Sequence, residues 1–168
     1  TFIGSSAFSG CASLESITIP DGVTSIGGSA FSGCASLESI TIPDSVTFIG
    51  SSAFSGCASL ESITIPDGVT SIGDYAFSGC SLLESITIPD SVTEIGDSAF
   101  QVCTSLEIVY YGGTESDWAE ISIGSNNDDL TAATRYYYSE TQPTEDGNFW
   151  HYAEDGITPV VWTKKTLA

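Results

Sequence analysis

The chain has 168 residues and carries 22 acidic side chains against 3 basic ones, a formal charge of −19. The basic residues are Arg135, Lys164 and Lys165, too few to replace counterions along a nucleic-acid backbone or to hold the chain on an anionic membrane surface. No apolar run reaches the roughly 20 residues that a spanning helix needs.

The chain starts inside a pattern. Ile3 to Ser25, IGSSAFSGCASLESITIPDGVTS, recurs with small changes from Ile26, Ile49, Ile72 and Ile95, a period of 23 residues. A fixed period of this size is the signature of a solenoid, in which each coil buries its apolar side only against its neighbours. Because Thr1-Phe2-Ile3-Gly4 lies mid-repeat, the chain is expected to be cut from a longer precursor, with a leader and further coils upstream. An uncapped first coil would then leave Ile3, Phe8, Leu14, Ile17 and Ile19 open along one edge. Self-association through that N-terminal end is expected of this chain.

Within each coil, Leu-x-x-Ile-x-Ile alternates as a strand with one buried face does. Pro20, Pro43, Pro66 and Pro89 follow at once and end the strand, since proline has no N–H for a ladder. Val-Thr-x-Ile-Gly reads as a second short extended piece. Ser-Ala-Phe-Ser-Gly-Cys is too short for a helix and suits a single turn, with Gly10, Gly33, Gly56 and Gly79 taking a positive φ. Cys11, Cys34, Cys57, Cys80 and Cys103 recur once per coil. Stacked in parallel they cannot aim their Cβ vectors at one another, so all five are expected as buried, reduced thiols. They have no CxxC and no neighbouring His, and no metal site is expected.

Taken together, Cys-x-x-Leu-x-x-Ile-x-Ile-Pro-x-x-Val-x-x-Ile-Gly-x-x-Ala-Phe resembles the leucine-rich repeat of the BspA-like, or treponemal-type, bacterial surface-protein family. The resemblance covers residues 1 to about 111. It implies an α/β leucine-rich-repeat solenoid, a right-handed superhelix that is mostly β with short helical turns and has a strand on its concave side. It also implies display on a cell surface or secretion, with binding of host proteins or other cells rather than catalysis. Residues 1–27 and 47–73 are identical, so the unit of duplication is two coils. Such copying suits a scaffold of variable length.

The expected division is a five-coil array at 1–111, a capping region at 112–140 and a tail at 141–168. The fifth coil departs from the pattern at Val109-Tyr110-Tyr111-Gly112, as the last coil of a solenoid must. Thr114 to Asp117 has the form of a capping box opening a short helix through Trp118 and Ile121. Asn126-Asn127-Asp128-Asp129 resembles part of a calcium loop but lacks its Gly and distal Glu, and reads as a turn. Ala133 to Tyr138 reads as a strand. Asp155-Gly156, between two aromatic and β-branched runs, predicts a hairpin. This aromatic tail reads as a cap on the last coil, the alternative being an independent ligand-binding hairpin.

With Leu and both Ile pointing inward, Ser and Thr of each strand point out. Ser39, Thr41, Ser62, Thr64, Ser85 and Thr87, bordered by Tyr110, form the candidate binding face. Merely solvated strand residues would show the same pattern. Glu15, Glu38, Glu61, Glu84 and Glu107 make an acidic row beside them, and Asp21, Asp44, Asp67 and Asp90 another. Neighbouring carboxylates repel by ~0.8 kcal/mol in bulk water, and weak divalent-cation binding would relieve this, although one carboxylate per coil supplies few ligands. His151, the single His, lies among aromatics and away from any nucleophile. The expectation is a non-catalytic, secreted or cell-surface domain without cofactor that binds a protein or glycan. The alternative is a purely structural spacer. A hydroxyl lattice facing ice or mineral fits less well, because one of the two rows is Ser.

Overall fold

The computed structural model describes residues 1–163; the end of the expected tail, 164–168, lies outside them. The chain winds as a mostly β solenoid of about six turns. The Leu-x-x-Ile-x-Ile segments supply one row of strands: β2 (Ser16–Thr18), β4 (Ser39–Thr41), β6 (Ser62–Thr64), β8 (Ser85–Ile88), β10 (Ile108–Tyr111) and β12 (Thr134–Tyr138). The Ile-Gly segments supply a second row: β1 (Phe2–Ile3), β3 (Ser25–Ile26), β5 (Phe48–Ile49), β7 (Ser71–Ile72), β9 (Glu94–Ile95) and β11 (Ser122–Ile123). The paired strands of both rows run parallel and in register, as in Ser62↔Ser85, Ile63↔Ile86 and Thr64↔Thr87, and the first row divides into two sheets between β4 and β6. Between β4 and β6 the backbone bond runs from Glu61 N–H to the Glu38 carbonyl at 3.4 Å. Both rows continue past residue 111, through β11 and β12.

The third side of each coil is the turn. Gly10, Gly33, Gly56 and Gly79 have φ near +75°, between +74° and +76°. In addition, Ser6, Ser29, Ser52, Tyr75 and Ser98 sit in the left-handed region at φ 54° to 59°, which costs a non-glycine residue on the order of 1–3 kcal/mol. The conformation is held from outside. It aims each N–H at the next coil, from Ser6 to the Gly28 carbonyl at 2.9 Å and from Ser52 to the Asp74 carbonyl at 2.8 Å.

Inside, Phe8, Phe31, Phe54, Phe77 and Phe100 stack face to face with centroids 5.2–5.4 Å apart. This is close to the ~4.8 Å repeat of neighbouring strands, one ring per coil, and the strand row takes the inner curve that the leucine-rich-repeat resemblance implies. Cys34, Cys57, Cys80 and Cys103 are fully buried. Each S–H donates to the Phe carbonyl of the coil before, as from Cys57 to Phe31 at 3.3 Å. Burial pushes the Cys57 and Cys103 thiols up to about 12. Cys11 departs from the expectation: it is free but exposed, because no coil of this chain packs over it. Ile19 also differs, being buried at 5% exposure, while Ile3, Phe8, Leu14 and Ile17 are partly covered. β1 forms the outer edge of its sheet.

The glycine of each Ile-Gly pair has a different role from the turn glycines. A Cβ on Gly73 would lie 2.7 Å from the Ser51 nitrogen, and one on Gly50 would lie 2.6 Å from the Gly28 nitrogen. Side-chain motion cannot relieve backbone contacts of that kind. The equivalent Gly4 has nothing within 4 Å. Gly73→Ala should therefore lower stability by about 1–3 kcal/mol, whereas Gly4→Ala should leave the melting temperature nearly unchanged; equal shifts would remove close coil approach as the reason for glycine.

The thiols give a second expectation. In the native protein a thiol reagent should modify Cys11 alone, with the other four reacting only after unfolding. Burial raises all four above the ordinary thiol value, to about 12 for Cys57 and Cys103, so their stabilising contribution is complete below pH ~8.5 and is lost as pH rises through the raised folded values. Alkaline unfolding monitored by circular dichroism with thiolate absorbance checks this; native labelling of more than one thiol would contradict the packing.

Candidate functional site

Two surfaces meet on the inner curve. The first consists of the two hydroxyl rows. Ser16, Ser39 and Ser62 are exposed, as are Thr18, Thr41 and Thr64, while Ser85 is half-buried. Thr87 was expected in the open row but is buried, at 5% exposure. Tyr110 continues the Thr row in register with Thr87 and Tyr136. Its ring packs on Tyr136 at 6.0 Å and on Trp150 at 5.4 Å. Burial, followed by the neighbouring Tyr136, raises the Tyr110 phenol above its usual pKa. The candidate face is therefore open from the first coil to β6 and roofed at β8.

The roof is the second surface. β13 (Phe149–Tyr152) joins β12 in parallel, and β14 (Pro159–Val161) pairs antiparallel with β13. The turn between them is tied by Asp155, whose Oδ1 accepts the N–H groups of Ile157 and Thr158, each at 2.8 Å. Alternation puts Tyr138, Trp150 and Tyr152 on the hydroxyl side. Trp150 is the anchor: it is 1% exposed, and its Nε1–H donates to the Tyr111 carbonyl at 2.8 Å. Tyr152 meets Trp150 edge-on at 4.8 Å and Tyr138 at 6.0 Å. These rings form one wall of a groove of about 240 Å³ whose other side includes Asp67, Thr87 and Asp90. Its floor includes Gly112, which stands one period after Pro89. Burial first, then Asp67, Tyr138 and Asp44, raise the Tyr152 phenol pKa. The spacing pattern ended before this groove, so repeat reading could not reveal it; the one available signal was the run of Tyr and Trp after residue 109.

His151 lies away from the groove, on the opposite side of β13. It stacks on Trp162 at 3.8 Å and contacts the Tyr152 carbonyl through Nδ1 at 2.7 Å. A carbonyl only accepts, so Nδ1 carries the proton.

The far end of the core is closed by α1 (Glu115–Ala119) and α2 (Asp128–Ala132). The Thr114–Asp117 capping box is formed, and Trp118 and Leu130 are buried. The Asn126–Asp129 segment does more than turn the chain. In each earlier coil the Phe N–H donates to the Ala carbonyl of the next coil, as from Phe77 to Ala99 at 2.8 Å. For Phe100 the acceptor is Asn127 Oδ1 at 2.9 Å, and Asp129 Oδ2 accepts from Cys103 N–H at 2.9 Å. The Asn127 side chain thus stands in for the Ala carbonyl of the earlier coils, while the Cys103 N–H, whose counterparts donate to the Phe carbonyl of their own coil, turns instead to Asp129.

The BspA type leucine rich repeat region matches residues 1–124 in six copies. This chain belongs to that family. Among solved structures it is similar to a leucine rich cell surface protein of Faecalibacterium prausnitzii A2-165, with 43% identity, a TM-score of 0.53 and 64% of this chain covered. It is also similar to the leucine-rich-repeat protein of T. pallidum, with 31% identity, a TM-score of 0.63 and 82% of this chain covered. The match spans 35% of the Faecalibacterium protein's length and 66% of the T. pallidum protein's. No curated protein matches the chain. Among the described residues of this BspA-type chain, no helix is long and apolar enough to cross a membrane.

Asp155 should make the roof pH-sensitive. The Thr158 side chain, followed by the Thr158 and Ile157 N–H groups, lowers its pKa. A lowered folded pKa means the contribution is complete above the unfolded value, ~3.9, and is lost as pH falls through the lower folded value. Acidification should loosen the β13–β14 hairpin before the coils melt, with Trp fluorescence changing ahead of far-ultraviolet circular dichroism. Asp155→Asn should show the loosened signal already at neutral pH; coincident transitions in both signals would oppose this.

Proposed function

We propose that this chain is a non-catalytic binding module, displayed at a bacterial cell surface or secreted, that recognises a protein or glycan through the open hydroxyl rows of its inner face. The observation that carries the reading is the exposed hydroxyl pairs of successive coils, Ser16/Thr18 in register with Ser39/Thr41 and then Ser62/Thr64, the broad surface on which side chains of several coils converge. Ser85, Thr87 and Tyr110 border the face at its roofed end. Small hydroxyls beside an acidic edge suit polar, water-bridged contacts and favour neutral or cationic partners over anionic ones. The similar Faecalibacterium protein is a leucine rich cell surface protein, which supports the location. One observation favours a different reading, a spacer that presents another module: residues 1–27 and 47–73 are identical, and a face copied without change has no unique contact.

A protein and glycan array separates the two readings. Ser39→Arg with Thr41→Arg puts bulk and charge on the open face while leaving Ile40 in the core, and should leave the melting temperature nearly unchanged. It should abolish binding to the ligands that the native chain captures. Unchanged capture would refute the hydroxyl face, and a native chain that captures nothing would favour the spacer.

A further inference from the structure

The groove under the aromatic roof differs in kind from the hydroxyl rows. Its volume of about 240 Å³ falls below the roughly 300–1,000 Å³ of pockets that take drug-sized ligands, so it fits one side chain rather than an oligosaccharide. Asp67 and Asp90 stand one coil apart on one side, with Asp44 next in their row. Tyr138, 37% exposed, and the half-buried Tyr152 stand on the other. Arg135, the only Lys or Arg among the described residues, is on the opposite face of β12. Its guanidinium lies over Trp118 at 5.3 Å, and its Nη1 donates to the Thr131 carbonyl at 3.1 Å. No described basic side chain thus neutralises the groove.

We propose that this groove is a subsite for a single cationic side chain, the guanidinium or ammonium of an Arg or Lys on a partner polypeptide. The cation lies against the ring face of Tyr152 or Tyr138, where the π quadrupole attracts it, and its N–H groups donate to the carboxylates of Asp67 and Asp90. One positive charge relieves the repulsion between those two carboxylates, which a neutral sugar leaves in place. A calcium ion would need six to eight oxygen ligands, more than these two side chains supply beside an aromatic wall. An anionic ligand is repelled. The subsite rests on the reading of the chain as a binding module but not on the hydroxyl rows.

The test uses the 168-residue chain and small probes, so that general attraction to a −19 protein stays separate from the site. N-acetyl-arginine methylamide and N-acetyl-lysine methylamide are titrated at low salt, with N-acetyl-norleucine methylamide and methyl glucoside as uncharged controls. Amide chemical shifts locate the binding. Arginine or lysine should shift the amides around Tyr138, Tyr152 and Asp90, and the controls should not. Tyr152→Leu, and separately Asp67→Asn with Asp90→Asn, should weaken binding roughly tenfold, whereas Tyr152→Phe, which keeps the ring face, should retain it. Glu15→Gln with Glu38→Gln removes the same charge elsewhere and should have little effect. Ser39→Arg with Thr41→Arg should also leave probe binding intact, so failure of the hydroxyl-face reading and failure of this one are told apart. Saturable shifts with methyl glucoside but not with the cations would overturn the proposal, as would equal binding of norleucine, shifts spread evenly over the acidic rows, or a Tyr152→Leu variant that melts like the native chain and binds unchanged.

Discussion

The structure depends on how closely one coil lies on the next. Two parallel ladders set the spacing at the strand repeat of ~4.8 Å, and the backbone at each Ile-Gly step touches the coil before it. The nitrogen of Gly28 lies 2.6 Å from where a Cβ on Gly50 would be. With that distance fixed, identical side chains must stack on themselves. Phe lies on Phe, Cys S–H reaches the Phe carbonyl one coil back, and acids lie beside acids. The first two contacts hold the array together. The third is a repulsion that the array tolerates because its acids stay in water, where screening weakens it.

The same constraint makes ends special. Some N–H groups of each coil, those of Ser6, Phe8 and their equivalents, find their acceptor in the coil that follows, so the end of the array needs substitutes. Asn127 and Asp129 accept from Phe100 and Cys103, and Trp118 and Leu130 cover the apolar end. The fifth coil also has Val102 at φ 61°, where the earlier coils have glycine. Here local preference has yielded to the stack. From this end the chain runs on as β12 and β13, widening the inner sheet, and its Tyr and Trp side chains fold over the hydroxyl rows. Capping and formation of the groove are therefore linked, because the strands that extend the last coil also carry the groove's aromatic wall.

Much of this was legible in the residues. The 23-residue period, the break at Pro, the positive φ at Gly10, Gly33, Gly56 and Gly79, the Thr114 capping box and the Asp155-Gly156 turn all depend on contacts within a coil or on its exact repetition. Three features were not legible. Ser6 and its equivalents adopt a left-handed backbone that serine does not prefer alone, held by the following coil. Cys11 repeats the local sequence of Cys57 yet is exposed, because burial of that position requires a preceding coil. Thr87 follows the hydroxyl pattern yet is covered by residues more than fifty positions later.

By itself, then, the sequence determined the family, the coil and the direction of every repeated side chain, because in a solenoid these follow from periodicity and from alternation along a strand. It also determined the chain's charge. Only the tertiary structure decided where the inner face is open and where it is roofed. That outcome depends on β13 joining β12, and so on Trp150 finding the Tyr111 carbonyl 39 residues away. A repeating pattern carries no information about a contact made once, between the array and the segment that follows it.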